Sequence, residues 1–334
     1  MRIVIRILLG IAVVWSLYWF GVGYAARLGI SQWFAARTDE GWQAEFSGIS
    51  TTGYPVALIT TLAHPVLAAP QTGISWRADT LTFDSPAAWP GAVSLRFADT
   101  PQQLSYLNQT ITLTTADMVA DLRLKPGPAL ELHRLALTVG PWRFDQMDVP
   151  LLSGDDLILA VEQQESPEVY TIEVSSRDFA PGDLARRALP GTDRWPQGFA
   201  ALQIQATMRF DRIWDRRALE AERPQLRGIQ LRIAEAQWGD LRILAEDGDF
   251  MVDSAGLPTG TITVKVDNWQ QMLDIVEASG ELPVGLRDSA ERSLRLLAGL
   301  GGDLNTLDVQ LNFANGYMSL GPIPLGPAPR IVLH

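Results

Sequence analysis

A chain of 334 residues with a formal charge of −11 repels phosphate backbones and anionic headgroups, which argues against nucleic acid and against docking on an anionic lipid surface. Its 47% hydrophobic content is ample for a packed interior and excludes extensive disorder, and the absence of cysteine leaves no disulfide framework. The length exceeds the usual size of a single core, so either one elongated sheet system or two domains is expected.

Residues Ile7 to Ala26 (ILLGIAVVWSLYWFGVGYAA) are uncharged and mostly apolar. As a helix this run is roughly 30 Å long, the thickness of a bilayer's hydrocarbon layer. It is longer than the apolar core of a secretory signal, and the acceptable cleavage pattern, Gly23-Tyr24-Ala25, lies at its far end. An anchor is therefore expected in preference to a cleaved leader. Trp15, Tyr18, Trp19 and Tyr24 are placed at the outer interface, where rings with one wet edge collect. Arg2 and Arg6 hold the start of the chain in the cytoplasm, although Arg27 and Arg37 on the far side oppose this. A single pass through the cytoplasmic (inner) membrane follows, with the bulk of the chain periplasmic. The helix is expected to continue to about Arg37, with Trp33 and Phe34 on the bilayer surface.

Beyond the helix, apolar residues recur at every second position, the period of a sheet with one apolar and one wet face, the antiparallel pattern. Shorter cases are Val93, Leu95, Phe97 and Tyr170, Ile172, Val174. Longer ones are Leu202, Ile204, Ala206, Met208, Phe210, then Ile262, Val264, Val266, and Leu307, Val309, Leu311, Phe313. The alternation slips by one near His133–Arg134 and near Ile233, which predicts β-bulges and hence curvature. Asp247-Gly248 and the stretch Asp253 to Gly260 (DSAGLPTG) read as tight connections.

Helices are few. One is predicted from Trp269 to about Ala278, capped by Asn268 and stopped by Gly280, with Trp269, Met272, Leu273 and Val276 on one face. A second runs from Pro283 to about Ala298 with a stripe of Leu286, Ala290, Leu294 and Leu297, and a short one opens at Pro181. The breakers between Arg177 and Gly198 suggest a boundary. The expected organisation is an anchor helix (1–37), a β-rich N-terminal domain (38–180) and a β-rich C-terminal domain with two helices (181–334). The fold class is mainly β (α+β), with curved antiparallel sheets. The tail Gly321 to Pro329 is expected to lie extended along a sheet, since its prolines lack the amide donor of a central strand.

Motifs that carry chemistry are lacking. His64, His133 and His334 are far apart in sequence, and no HExxH, CxxC, GxSxG or GxxxxGK[ST] occurs. The acidic groups Asp155-Asp156 and Glu246, Asp247, Asp249 read as solvated turns without EF-hand spacing, and Asp117 with Asp121 reads as a wet strand face. The glycines of Gly299 to Asp303 follow a helix and lack a phosphate-binding lysine, so they read as a loop. No catalytic residue, cofactor site or metal site is assigned, and a non-enzymatic protein is expected.

The stretch Gly53-Tyr54-Pro55, His64-Pro65, Pro70, Gly73, Trp76, Ala78 and Trp89-Pro90 resembles the opening of an uncharacterised bacterial envelope family, domain of unknown function 2125. The run Val252, Asp253, Gly256, Pro258, Gly260 to Asn268-Trp269 and the closing Gly321 to Gly326 are similar to that family's C-terminal half. The resemblance implies an N-terminally anchored or secreted β-rich protein with no assigned activity, and it carries over no catalytic residues.

The abundant aromatics supply the remaining candidates. Large rings bury large areas and ordinarily fill sheet cores. With few helices to roof the apolar strand faces, some are expected to line an apolar groove on a curved sheet, the candidates being Trp76, Trp142, Phe210, Trp214, Trp238 and Trp269. The expected function is a membrane-anchored envelope protein, held in the membrane through residues 7–26, whose groove binds a lipid or other hydrophobic molecule. The alternative is a structural or protein-interaction module with envelope proteins as partners, and an enzyme built from residues scattered in sequence stands third.

Overall fold

The computed structural model describes residues 1–70, 73–89, 91–106, 109–127, 129–182, 198–220, 223–278, 285, 287–321 and 323–333. Among the described residues 53% are strand and 22% helix, in antiparallel, curved sheets that do not close into a barrel. It divides into two compact units: Met1–Leu124 with Leu137–Asp148, and Lys125–Ala136 with Val149–His334.

In the first unit, helix α1 (Arg2–Asp39) precedes β1 (Gln43–Glu45), β2 (Gly48–Thr52), β3 (Ala57–Ala63), β4 (Val66–Ala69), β5 (Ile74–Arg77) and β6 (Thr80–Pro86). There follow β7 (Ala92–Phe97), β8 (Gln102–Tyr106), β9 (Gln109–Thr115) and β10 (Val119–Leu124). Strand β11 (Leu132–Val139) belongs to the second unit up to Ala136 and to the first from Leu137, and β12 (Trp142–Gln146) follows in the first. Two antiparallel ladders result. One runs β1, β4, β5, β8, β9, β12; the other runs β2, β3, β6, β7, β10. The cleanest alternation is in β3, where Leu58, Thr60 and Leu62 are buried and the residues between them only half so. At the slip near His133–Arg134, two consecutive exposed residues separate the half-buried Leu132 and Leu135.

The second unit is a meander in which each strand pairs with the next. Its strands are β13 (Val149–Gln163), β14 (Val169–Pro181), β15 (Ala201–Phe210), β16 (Leu226–Trp238) and β17 (Leu241–Val252). They continue as β18 (Pro258–Asp267), β19 (Thr306–Ala314), β20 (Tyr317–Leu320) and β21 (Ile323–Pro327). The bulge expected near Ile233 is present: Gln205 pairs with Ile233 and Ala206 with Leu231, which leaves Arg232 as the extra residue. The proline-rich tail supplies β21, which pairs with β20.

Several expectations need correction. Asp247-Gly248 is no connection but a bulge inside β17, with Asp247 at φ 50° and a shift of register between Glu246 and Asp249. Asp155-Asp156 likewise lies inside β13 at a register shift, with Asp156 at φ 46°. Asp tolerates left-handed backbone, so its sequence signal for a turn is the same as for a bulge. Asp117, at φ 51°, lies before β10 and not within it. The β16–β17 hairpin turns instead at Gly239-Asp240, with Gly239 at φ 60°. Gly260 belongs to β18, where φ is 155° and an added Cβ would stand 1.9 Å from the Asp249 carbonyl oxygen. Asn268 does not cap through its side chain; at φ 56° its amide donates to the Asp240 carbonyl at 2.7 Å.

Helix α2 (Arg216–Glu220) had no sequence signal, while α3 (Trp269–Ala278) and α4 (Arg287–Leu300) match the two predicted helices. Gly280, Pro283, Leu286 and most of the breaker-rich stretch, with the helix expected to open there, lie outside the described residues. Strands on either side of that stretch pair directly, Val169 to Ser176 of β14 against Leu202 to Arg209 of β15. Helices α3 and α4 interrupt the meander between β18 and β19 and bury Trp269, Leu273 and Ala298 against Leu241, Val266 and Leu307. Trp269 has no exposed surface, and its indole N–H donates to the Leu304 carbonyl at 3.0 Å. Trp269→Ala is expected to destabilise the second unit by about 3–5 kcal/mol, measured as a fall in the urea midpoint followed by near-ultraviolet circular dichroism.

An apolar cavity between helix and sheets

From Trp15 onward α1 packs against the strands and loops of the first unit. Trp19, Gly23, Phe34 and Arg37 are buried along it. The Trp15 indole N–H donates to the Pro55 carbonyl at 2.9 Å, Trp19 to Ala57 at 2.8 Å, and the Tyr18 hydroxyl to Ala87 at 3.0 Å. Trp33 and Phe34, expected on the bilayer surface, face the protein: Phe34 is buried beside Ala44 and Leu62 and meets Phe46 edge-on at 5.1 Å.

Between this part of the helix and the strands lies a cavity of about 320 Å³, lined by Gly29, Ile30, Trp33 and Phe34 of α1, Leu67 of β4, Trp76 of β5, and Leu81 and Phe83 of β6. Every wall side chain is hydrocarbon or aromatic. The Trp76 N–H is turned away to the Gln102 side-chain oxygen Oε1 at 2.9 Å, and Gln102 is buried. The walls offer water almost no polar partners. The volume falls at the lower end of small-molecule pockets, which span about 300–1,000 Å³.

Of the six groove candidates, Trp76 lines this cavity. Trp142 is buried on β12 against Phe144, and Trp238 is buried and stacked on Phe199 at 5.1 Å. Phe210 is buried with Tyr170 and Leu226, with Trp214 packed edge-on against it. Trp269 fills the helix-covered core. Of the other lining residues, those of the helix carry a signal in the sequence. Ile30, Trp33 and Phe34 make an i, i+3, i+4 stripe that continues past Arg27, the mark of a helix face docked on protein.

The second unit holds a cleft of similar volume, but Thr207, Arg209, Gln230 and Asp249 stand among its apolar walls. Close by, Tyr170 is fully buried; its hydroxyl donates to the Leu132 carbonyl at 3.4 Å and accepts from Gln163 and the Trp214 amide. Burial pushes the Tyr170 hydroxyl above its ordinary pKa. Burial also acts to raise Glu131, but hydrogen bonds from Gln163 at 2.5 Å and Lys125 at 3.0 Å outweigh it and hold this carboxyl below the usual range. His64 meets Ser47 at 3.0 Å. Among the described residues, no three His, Asp or Glu side chains converge as metal ligands.

The fold and cavity define a mainly antiparallel β protein whose N-terminal helix is long and apolar enough to cross a membrane. The chain belongs to the family described as an uncharacterized protein conserved in bacteria (DUF2125), whose model matches residues 19–329. Neither the curated proteins nor the solved structures offer a match to it.

Two outcomes are expected. Trp76→Phe strands the buried Gln102 oxygen, so the first unit loses about 1–3 kcal/mol in chemical denaturation. For Glu131, whose pKa is lowered by folding, stabilisation is complete above the unfolded value and disappears as pH falls through the folded one. The stability difference between the parent chain and Glu131→Gln should therefore shrink on acidification through the carboxylate range in a pH series of urea melts.

Proposed function

We propose that this is a membrane-anchored protein of the bacterial envelope, its bulk on the periplasmic side of the cytoplasmic membrane, that binds a lipid or other hydrophobic molecule in the cavity between α1 and the two ladders of the first unit. The observation that carries this reading is a space of about 320 Å³ walled wholly by apolar groups. At about 30 Å³ per water-sized group it has room for roughly ten methylenes, and each methylene buried contributes about 0.8 kcal/mol. The chain's acidity disfavours adhesion to anionic headgroups, so recognition falls to the hydrocarbon part.

Retention of the helix has its own support. Removal of the leader after Ala25 would strip Trp15, Tyr18 and Trp19 from the carbonyls they satisfy.

The test uses the full chain in phosphatidylcholine vesicles doped with a diazirine-bearing fatty acid, with crosslinks mapped by peptide mass spectrometry. Labelling is expected at Leu67 and Phe83 as well as along the exposed start of α1. Gly29 has open space where a side chain would begin, so Gly29→Phe should fill the cavity and lower labelling of Leu67 and Phe83 at least about tenfold, the equivalent of two displaced methylenes. Labelling confined to α1, and unchanged by Gly29→Phe, would refute the cavity reading.

A further inference from the structure

Two loops of the first unit clasp α1 in the middle of its uncharged run. The loop from Gly53 to Ala57 is bent at Gly53, where φ is 99° and an added Cβ would lie 2.8 Å from the Ala57 oxygen. The other follows β6 and carries Ala87 and Trp89. Both stretches are without charge. Tyr54 bonds Ser16 through its hydroxyl at 2.8 Å and stacks on Phe20. What the loops leave outward is apolar: Val56 is 75% exposed, Trp89 54% and Tyr54 50%, beside the exposed Leu17 and Phe20 of the helix. A soluble loop would show charged or polar tips here, and this apolar surface is continuous with the exposed helix.

The polar atoms of these loops are treated differently. The carbonyls of Pro55, Ala57 and Ala87 all accept from side chains of α1. Non-helical backbone is tolerated at membrane depth only where it is buried in protein or lines water, and α1 covers these three carbonyls. From these observations we infer that the loops around Tyr54–Val56 and Ala87–Trp89 form a collar sunk into the outer acyl layer, so that the first unit is seated in the bilayer and not held above it on a stalk. The occupant of the surface is the lipid acyl chain. This inference rests on the anchored reading of α1, and the test separates the two.

The chain has no cysteine, so single cysteines report one place each. Nitroxide labels on Leu9→Cys, Val56→Cys, Ala88→Cys and Asp39→Cys in the full chain, reconstituted in palmitoyl-oleoyl phosphatidylcholine vesicles, are read for collision with oxygen, which partitions into lipid, and with a nickel chelate, which stays in water. Asp39 lies about 30 Å along the helix from Trp19 and sets the water value. Oxygen-dominated collision at Val56 and Ala88, approaching that at Leu9, is the expected result. Water-like collision at Val56 and Ala88 with lipid-like Leu9 would overturn the collar and leave the anchor standing. Water-like collision at Leu9 would remove the anchor and the collar together.

Discussion

Each of the two ladders in the first unit has an apolar face, and the residue pattern leaves that face to be covered by something other than strands. The cover is α1. Its Ile30, Trp33 and Phe34 meet Leu67 and Phe83 from different ladders, while Trp19 closes over Leu58 and Ala87 nearer its start. A helix apolar enough to cross a membrane thus also belongs to the core of the domain that follows it. Burial of such a face stabilises by about 25 cal/mol per Å², and the three hydrogen bonds from Trp15, Tyr18 and Trp19 fix its register against the loops. Gly29 lines the cavity and has open space where a side chain would begin.

The second unit needs no such partner. Its strands pair in sequence order, and the faces are closed piecemeal: at one place by α3 and α4, at another by Trp214 and the segment around Leu132 over Tyr170, Phe210 and Val252. Bulges at Arg232, at Asp247-Gly248 and near Asp156 bend the long strands and swap which residues face the core. Gly260 permits the closest of these adjustments, since no Cβ could stand against the Asp249 carbonyl.

Period-two alternation made the strands legible in sequence, because the side-chain pattern of a half-buried strand is set by the pleat itself. The slip after Ile229 and Leu231 was enough to locate a bulge. Less legible was the difference between a bulge and a turn, since Asp247-Gly248 and Asp155-Asp156 offer the same left-handed tolerance to either. The cavity was almost hidden. Hydropathy measures dislike of water and cannot tell a helix face that meets lipid from one that meets Leu67 and Phe83. Tryptophan carries a related ambiguity: Trp76 lines the cavity while Trp238 and Trp269 are buried in closed cores, because large rings are where burial stabilises most.

The match to the family begins at Trp19, the first residue of α1 that is buried in the domain. Residues before Trp15 are exposed and answer only to length and hydrophobicity, which many sequences meet. Residues from Trp15 onward must also fit the Pro55, Ala57 and Ala87 carbonyls, Leu58 and the cavity wall, a constraint of shape. The helix is therefore two segments under different physical demands. The cavity walled by the second of them is bounded by Ile30, Trp33 and Phe34 on the helix and by Leu67, Leu81 and Phe83 on the strands, so the same shape constraint that docks the helix also sets the width of the space beside it.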